Sequence, residues 1–158
     1  MSKIYVLDAC AIIASLKNED GTEKVENIFI SQKKYNDVKI VMHKVNLLEV
    51  YYDVVKRCGE TVAKNVLSEI KRNPIKIISP ISNSVFFEAG KLKAKYRISL
   101  ADSIALSTAY LLKGMLVTSD HHEFDIIEQK EKISFCWIRW FLAFFEKIIY
   151  ISTDYVFG

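Results

Sequence analysis

Four acidic residues occur at positions in the sequence where an isolated carboxylate is energetically costly. Asp8 directly follows the apolar run IYVL, and Asp120 follows the run LVTS. Glu49 lies inside the largely apolar segment NLLEVYYDV, and Asp102 lies near the start of the segment SLADSIAL. A carboxylate buried without a partner carries a large desolvation penalty, whereas Mg²⁺ and Mn²⁺ prefer such hard oxygen ligands. The four acids together therefore predict a site for one or two Mg²⁺ or Mn²⁺ ions.

Three of these acids, taken singly, also fit an ordinary structural role. Ser99 followed three residues later by Asp102 resembles a capping box, and an acid in the first turn is favoured by the helix dipole. Asp120 can cap a helix that follows it, and Glu49 fits a solvated helix face. No other catalytic motif competes, because the sequence contains no HExxH, GxxxxGK[ST] or GxSxG pattern and no GxGxxG after a strand.

The composition fits one globular domain and narrows its class. The chain has 158 residues, is 51% hydrophobic and has a formal net charge of +3, which is compatible with a polyanionic partner without requiring one. Three scattered cysteines without a CxxC pair predict neither a disulfide scaffold nor a zinc site. Asp8 interrupts the first apolar run, and a turn-rich NEDG follows it, so we expect no signal peptide and a cytoplasmic protein.

Apolar strand-like runs alternate with segments of helical period along the chain. This alternation predicts an α/β fold, a three-layer α/β/α sandwich with a central, mainly parallel sheet. The carboxyl ends of parallel strands meet at one edge of a sheet, so the acids that follow strands should lie together. The predicted strands cover residues 4–7, 39–42, 75–79, 115–118 and 134–138, and the predicted helices 9–17, 22–33, 45–56, 61–71, 82–95 and 99–113.

The last segment of the chain differs from the rest. We divide the sequence into a domain at 1–139 and an aromatic helical extension at 140–158. Apolar residues recur in the extension at helical spacing, but the stripe is far shorter than the ~20 residues needed to span a membrane. We expect a terminal helix docked on its own core; a dimer or partner contact and a helix on a membrane surface remain open. The stripe consists of Trp140, Phe141, Phe144, Phe145, Ile148 and Ile149.

Three segments in order resemble the PIN-domain nucleases, and specifically the VapC-type toxins of toxin–antitoxin pairs. They are VLDACAIIASL, NLLEVYYDV and SLADSIALSTAYLLKGMLVTSDHHEFD. The resemblance implies a PIN-like fold in which Asp8, Glu49, Asp102 and Asp120 hold the catalytic divalent ions.

The resemblance also implies roles for neighbouring residues. Thr118 would orient ligands from behind the site, and Asp125 would hydrogen-bond to water on the metal. The sequence departs from the family at Cys10, where many relatives have Ser or Thr.

The activity implied by the resemblance is metal-dependent hydrolysis of RNA phosphodiester bonds, leaving 5′-phosphate and 3′-hydroxyl ends and arresting translation. It further implies a homodimer and a small antitoxin protein whose segment lies across the active-site groove, near the predicted helix 22–33. The family pattern gives no account of the extension at 140–158.

Basic residues before the Asp102 helix are candidates for contacting the RNA backbone. Lys91, Lys95 and Arg97 are the three we single out, although a solvated helix face explains them as well. Tyr51, Tyr52 and Tyr96 can stack on bases or pack in the core. For His121 and His122 we favour a capping or solvent-facing role over acid–base chemistry.

Two other classes of protein remain to be weighed. One is a non-catalytic PIN-like module that binds RNA or protein; the presence of all four acids argues against it. The other is a response-regulator-like domain, which would need a phosphoacceptor aspartate at the end of the third strand. That strand ends in Ile78-Ser79-Pro80 instead.

Overall fold

Five parallel strands form a single sheet in the computed structural model, which describes residues 2–139. The spatial order is β3-β2-β1-β4-β5, and each neighbouring pair is parallel. β1 is central, so Val6 pairs with Val41 on one side and with Leu116 on the other. In chain order the strands are β1 (Lys3–Leu7), β2 (Val38–His43), β3 (Ile75–Ile78), β4 (Met115–Thr118) and β5 (Ser134–Trp137).

Seven helices in the described residues connect these strands and cover the sheet. Two of them, α5 and α6, follow each other without an intervening strand, as do α1 with α2 and α3 with α4. The helices are α1 (Ala9–Leu16), α2 (Thr22–Lys34), α3 (Lys44–Cys58), α4 (Glu60–Arg72), α5 (Asn83–Lys95), α6 (Leu100–Leu112) and α7 (His121–Lys130).

Successive residues of β1 face two separate cores, because side chains of a strand alternate between its faces. Tyr5 and Leu7 pack with apolar residues of α1, α2, α3 and α4. Ile4 and Val6 pack on the opposite face with residues of α5, α6 and α7. Burial on both faces explains why the central strands read as continuous apolar runs. The predicted α/β/α fold class is confirmed.

The element boundaries follow the prediction closely, with one helix added. The sequence leaves open whether a helix follows Asp120, whereas in the structure α7 begins at His121 and buries Phe124 and Ile127. In residues 2–139 no helix combines the length and apolar character needed to cross a membrane. The predicted extension at 140–158 lies outside the described residues.

The strand order creates a crevice beside β1. From β1 the chain moves to β2 and β3 on one side, and it later adds β4 and β5 on the other. Ligands of open parallel sheets bind beyond the carboxyl ends of strands at such a reversal of strand order. Asp8 follows β1 and Asp120 follows β4 by two residues, so both predicted ligands lie at this reversal.

We expect Gly21→Ala to destabilise the protein by about 2 kcal/mol or more. Gly21 precedes α2 with φ +95°, and a Cβ there would lie 2.6 Å from the carbonyl oxygen of Ile138. Both the backbone conformation and the close approach therefore require glycine. Urea denaturation of both proteins measures the difference. Gly90→Ala is the control: it lies inside α5 with open space around the new Cβ, and it should leave stability unchanged or raise it.

Candidate metal centre

An acidic cleft opens at the carboxyl edge of the sheet, where β1 and β4 lie side by side. Its volume is about 290 Å³. The four predicted ligands Asp8, Glu49, Asp102 and Asp120 all line it, together with Asp53. These are five of its ten lining residues, and none of the ten is basic. The structure thus brings together the four acids that the sequence analysis selected.

Asp8 is the most buried and most firmly held of these acids. Its side chain is 3% exposed and caps α1 through a 2.6 Å hydrogen bond from the Ala9 N–H to Oδ1. Thr118 Oγ1 and Cys10 Sγ donate to Oδ2, each at 3.1 Å. Burial and the negative charge of Asp102 raise the pKa of Asp8 to about 6, although the hydrogen bonds from Cys10, Ala9 and Thr118 lower it.

Glu49, which lies on α3, is close to the negative charges of Asp8 and Asp102. Burial raises the pKa of Glu49 to about 7, with further contributions from the charges of Asp8 and Asp102. The Tyr52 hydroxyl donates to Glu49 Oε1 at 3.2 Å and lowers that pKa. Asp53, four residues further on, is held instead by Arg57, whose Nε lies 2.8 Å from its Oδ2. Asp53 is therefore neutralised by a cation of the protein, whereas Glu49 is not.

Asp102 and Asp120 lie at the starts of helices, as the capping patterns in the sequence predicted. Ser99 and Asp102 form a complete capping box: the Asp102 N–H donates to Ser99 Oγ at 3.0 Å, and the Ser99 N–H donates to Asp102 Oδ2 at 3.2 Å. Asp120 caps α7 by accepting a 3.1 Å hydrogen bond from the Glu123 N–H. Capping uses one oxygen of each carboxylate, so the structural role and a place in the cleft are compatible.

A fifth acid of this region, Glu123, was missed by the sequence analysis. Burial, contact with the Asp102 carboxylate and the charge of Asp120 raise the pKa of Glu123 to about 7. Its Oε2 atom is buried and has no hydrogen-bond partner among the described residues. A signal existed, because Asp120 and Glu123 have the three-residue spacing of a capping box, the same spacing that was noted for Ser99 and Asp102.

Asn46 is a second residue that sequence reasoning passed over. It is fully buried, one helical turn before Glu49, and its Nδ2 donates to the Ala101 carbonyl at 3.1 Å and to Asp8 Oδ1 at 3.4 Å. Asn46 therefore connects α3 and α6 to the carboxylate that follows β1. Its position in the segment NLLEV, a turn before a candidate ligand, was the available signal.

Cys10 fills the position where a hydroxyl was expected from the resemblance. In addition to its bond with Asp8, its Sγ accepts a hydrogen bond from the Ser119 N–H at 3.3 Å and lies 3.2 Å from Thr118 Oγ1. Burial and the charge of Asp8 raise the pKa of the thiol, so Cys10 is a neutral hydrogen-bonding group. The thiol therefore links Asp8 to Thr118 and Ser119 at the end of β4.

Thr118 and Asp125 differ in their relation to the cleft. Thr118 Oγ1 donates to Asp8 and accepts from the Asp120 N–H at 3.2 Å, so it links two predicted ligands. Asp125 Oδ1 instead lies 2.7 Å from His121 Nδ1. The other ring nitrogen of His121 lies 2.9 Å from the Arg139 carbonyl oxygen, and its ring stacks on Trp137. His121 and Asp125 therefore brace the turn after β4 and do not line the cleft.

The three basic candidates lie away from the cleft lining. Lys91 pairs with Glu88 at 3.4 Å, and Lys95 pairs with Glu131 at 2.7 Å. Arg97 is exposed in the connection between α5 and α6.

The donor set fits a hard divalent cation held partly by water. Within residues 2–139 no three or more His, Cys, Asp or Glu side chains are grouped closely enough to form a complete cage for a metal ion. Mg²⁺ does not need one, since it usually binds through one or two carboxylates and keeps several waters. Burial, followed by the negative charges of neighbouring acids, raises the pKa of Glu49 and of Glu123 to about 7, and a bound cation relieves such crowding of like charges.

Comparison with solved structures finds the same fold in toxin–antitoxin proteins. The chain is similar to VapBC-1 from nontypeable Haemophilus influenzae, with a TM-score of 0.65 and 17% identity over 85% of this chain and 98% of the other. It is similar to VapBC2 from Rickettsia felis, solved with a promoter DNA fragment, with a TM-score of 0.64 and 21% identity over 84% and 97%. VapC20 from Mycobacterium tuberculosis, a toxin that cleaves the sarcin–ricin loop, matches with a TM-score of 0.55 and 11% identity over 72% and 85%.

These low identities establish the fold alone, and no curated protein sequence matches the chain. The PIN domain family model, in contrast, matches the sequence directly over residues 5–129. This range is most of the chain and includes all four predicted ligands. The resemblance identified from the sequence is therefore confirmed, and the chain belongs to the PIN domain family.

Proposed function

We propose that this protein is a divalent-metal-dependent endoribonuclease and the toxin of a toxin–antitoxin pair. The observation that carries the proposal is the acidic cleft at the reversal of strand order in a PIN domain. Asp8, Glu49, Asp102 and Asp120 line it without a basic residue among them. A cleft this negative repels a nucleic acid unless a cation lies between them.

The four acids and Glu123 have different roles in this proposal. Asp8 presents its carboxylate in one orientation, because Ala9, Thr118, Cys10 and Asn46 all donate to it. Capping bonds likewise fix Asp102 and Asp120.

Glu49 and Glu123 flank these three acids from α3 and α7. These carboxylates would hold Mg²⁺ or Mn²⁺, which would supply the positive charge that the phosphodiester needs and would favour attack by water. The ordered carboxylates set where the phosphate can approach.

The reaction is hydrolysis with water as the nucleophile. The water oxygen forms a bond to phosphorus, the bond from phosphorus to the ribose 3′-oxygen breaks, and that oxygen takes up a proton. The products therefore carry 5′-phosphate and 3′-hydroxyl ends. Ribose 2′-hydroxyl attack would leave a cyclic phosphate instead, so the ends of the products distinguish the two routes.

Tyr52 is the aromatic residue best placed to contact an RNA base. It lines the cleft and is 54% exposed, and stacking on an aromatic ring is worth about 1–3 kcal/mol per base. Lys91 and Lys95 pair with acidic side chains, which leaves Arg97 as the stronger candidate for an RNA phosphate.

Two protein partners complete the proposal. A homodimer is supported by four large apolar side chains that are each more than half exposed, namely Leu48, Phe86, Phe87 and Leu100, since exposed apolar residues often mark an interface. An antitoxin is supported by the similarity of the fold to VapBC complexes. We propose the cytoplasm as the site of action, because the RNA targets of such a toxin are there.

Incubating purified protein with total cellular RNA tests the function. We expect cleavage with Mg²⁺ or Mn²⁺ and none with EDTA, and sequencing of the ends should show 5′-phosphates at defined sites. Protein freed of antitoxin by denaturation and refolding, and shown to be refolded by circular dichroism, must be used. Cleavage that persists in EDTA would contradict the metal site. Binding of RNA without any cleavage would instead favour a non-catalytic PIN-like module.

A further inference from the structure

An apolar groove lies between α1, α2 and α4, on the sheet face away from α5, α6 and α7. Its volume is about 600 Å³. Leu16, Ile30 and Val62 on its walls are 43%, 58% and 43% exposed, which is unusual for large aliphatic side chains that lie together. No described residue covers them. The main apolar lining consists of Leu16, Phe29, Ile30, Val62, Val66 and Ile70.

The described part of the chain ends next to this groove. The Arg139 guanidinium lies 3.3 Å from the carboxylate of Glu19, in the connection between α1 and α2. The backbone of Ile138 packs directly on Gly21, one residue before α2 begins. Leu16, at the end of α1 and in the groove lining, is three residues before Glu19. Arg139, the last described residue, therefore lies near the end of the groove that Leu16 lines.

Residues 140–158 have the length and pattern of a helix that fills such a groove. Thirteen of these nineteen residues are apolar, and the aromatic stripe recurs at the spacing of one helix face. Nineteen helical residues extend over about 28 Å, whereas the thirteen of α2 extend over about 20 Å. The segment can therefore follow α2 along its whole length.

The charges also match. The groove lining includes Glu26, Lys33 and Glu69 beside its apolar residues, and the stripe is interrupted once, by Glu146-Lys147. Glu69 already pairs with Arg72, so Glu26 and Lys33 of α2 are the groove charges available to a lysine and a glutamate of the segment. We propose that segment 140–158 docks as an amphipathic helix in the groove of its own chain. A protein partner that uses α2 must then displace it.

Hydrogen–deuterium exchange of the full-length protein tests the docking without using nuclease activity. In the wild type, amides of 140–158 should exchange about tenfold or more below their intrinsic rates. Ile30→Glu and Val62→Glu should each remove this protection, since one buried aliphatic contact is worth at least that factor. Ile126→Glu is the matched control: it changes an isoleucine on α7 whose exposure, 49%, lies between those of Val62 and Ile30, and it should leave the protection intact.

A reciprocal substitution examines the other side of the contact. Phe144→Asp should speed exchange in peptides from α2 and α4, whereas Ser152→Asp, outside the aromatic stripe, should not. Protection of peptides from β1 shows whether each variant is folded. The two groove variants lie on different helices, so if one of them fails to fold, the other still tests the proposal.

Three results would overturn the proposal. They are wild-type exchange of 140–158 at intrinsic rates, protection that survives both groove variants, and protection that depends on protein concentration or on added lipid vesicles. The last would assign the segment to a second copy or to a membrane surface.

Discussion

Asp8→Asn is expected to reduce RNA cleavage by about a hundredfold or more and to make the metal-free protein more stable. Asp8 is 3% exposed, and burial together with the charge of Asp102 raises its pKa to about 6, so its ionised form is held in the fold at a cost. Asparagine removes that charge and keeps an oxygen for the Ala9 N–H. A gain of about 1–2 kcal/mol corresponds to a rise of about 2–8 °C in melting temperature.

Loss of activity has a separate cause in the same variant. Asparagine is a neutral and weaker ligand, and a catalytic metal contributes several kcal/mol to the transition state. Cleavage should therefore fall by about a hundredfold or more. Measuring the initial rate of RNA cleavage in Mg²⁺ and the melting temperature in EDTA separates the two effects.

Asp53→Asn is the matched control for Asp8→Asn. Asp53 lines the same cleft, but it is paired with Arg57 at 2.8 Å through Nε and is not a candidate ligand. We expect cleavage within a few-fold of wild type and a melting temperature that is unchanged or slightly lower, because such surface pairs contribute at most about 1 kcal/mol. Full activity of Asp8→Asn, or equal losses in both variants, would contradict the proposed site.

The sequence predicted the sheet and two of its acids well because buried parallel strands leave a simple trace. β1 and β4 are covered on both faces, so each reads as an uninterrupted apolar run, and the acid that follows is conspicuous. Glu49 and Asp102 were found through their apolar surroundings. Prediction succeeded where burial and chain order together determine position.

The remaining site residues depend on helix phase, which the sequence did not supply. Once α7 begins at His121, Glu123 falls in its first turn beside Asp120 and Asp102, whereas Asp125 lies one turn after His121 and contacts it. The pattern HHEFD does not decide between these two acids. Asn46 was missed for a related reason, since its contact with Asp8 joins elements far apart in the chain.

Glu123→Gln and Asp125→Asn therefore distinguish the structural account from the sequence-based one. We expect Glu123→Gln to reduce cleavage by about 10- to 100-fold, the usual effect of losing a residue that orients metal ligands. Glu123 contacts Asp102, and its backbone N–H donates to the capping carboxylate of Asp120, so the glutamine weakens the charge of the site while preserving its shape. Initial rates as a function of Mg²⁺ concentration measure the effect, which should appear as a higher Mg²⁺ requirement.

Asp125→Asn should leave the rate within about threefold of wild type and the Mg²⁺ requirement unchanged. Asp125 contacts His121 outside the cleft, so its loss does not change the orientation of a metal ligand. The opposite ranking, a large loss at Asp125 and none at Glu123, would show that α7 presents its other face to the metal. Equal small effects would confine the ligands to the four acids that follow from the sequence. Each ranking assigns a different face of α7 to the cleft, so the pair of variants decides which residues of this helix act on the reaction.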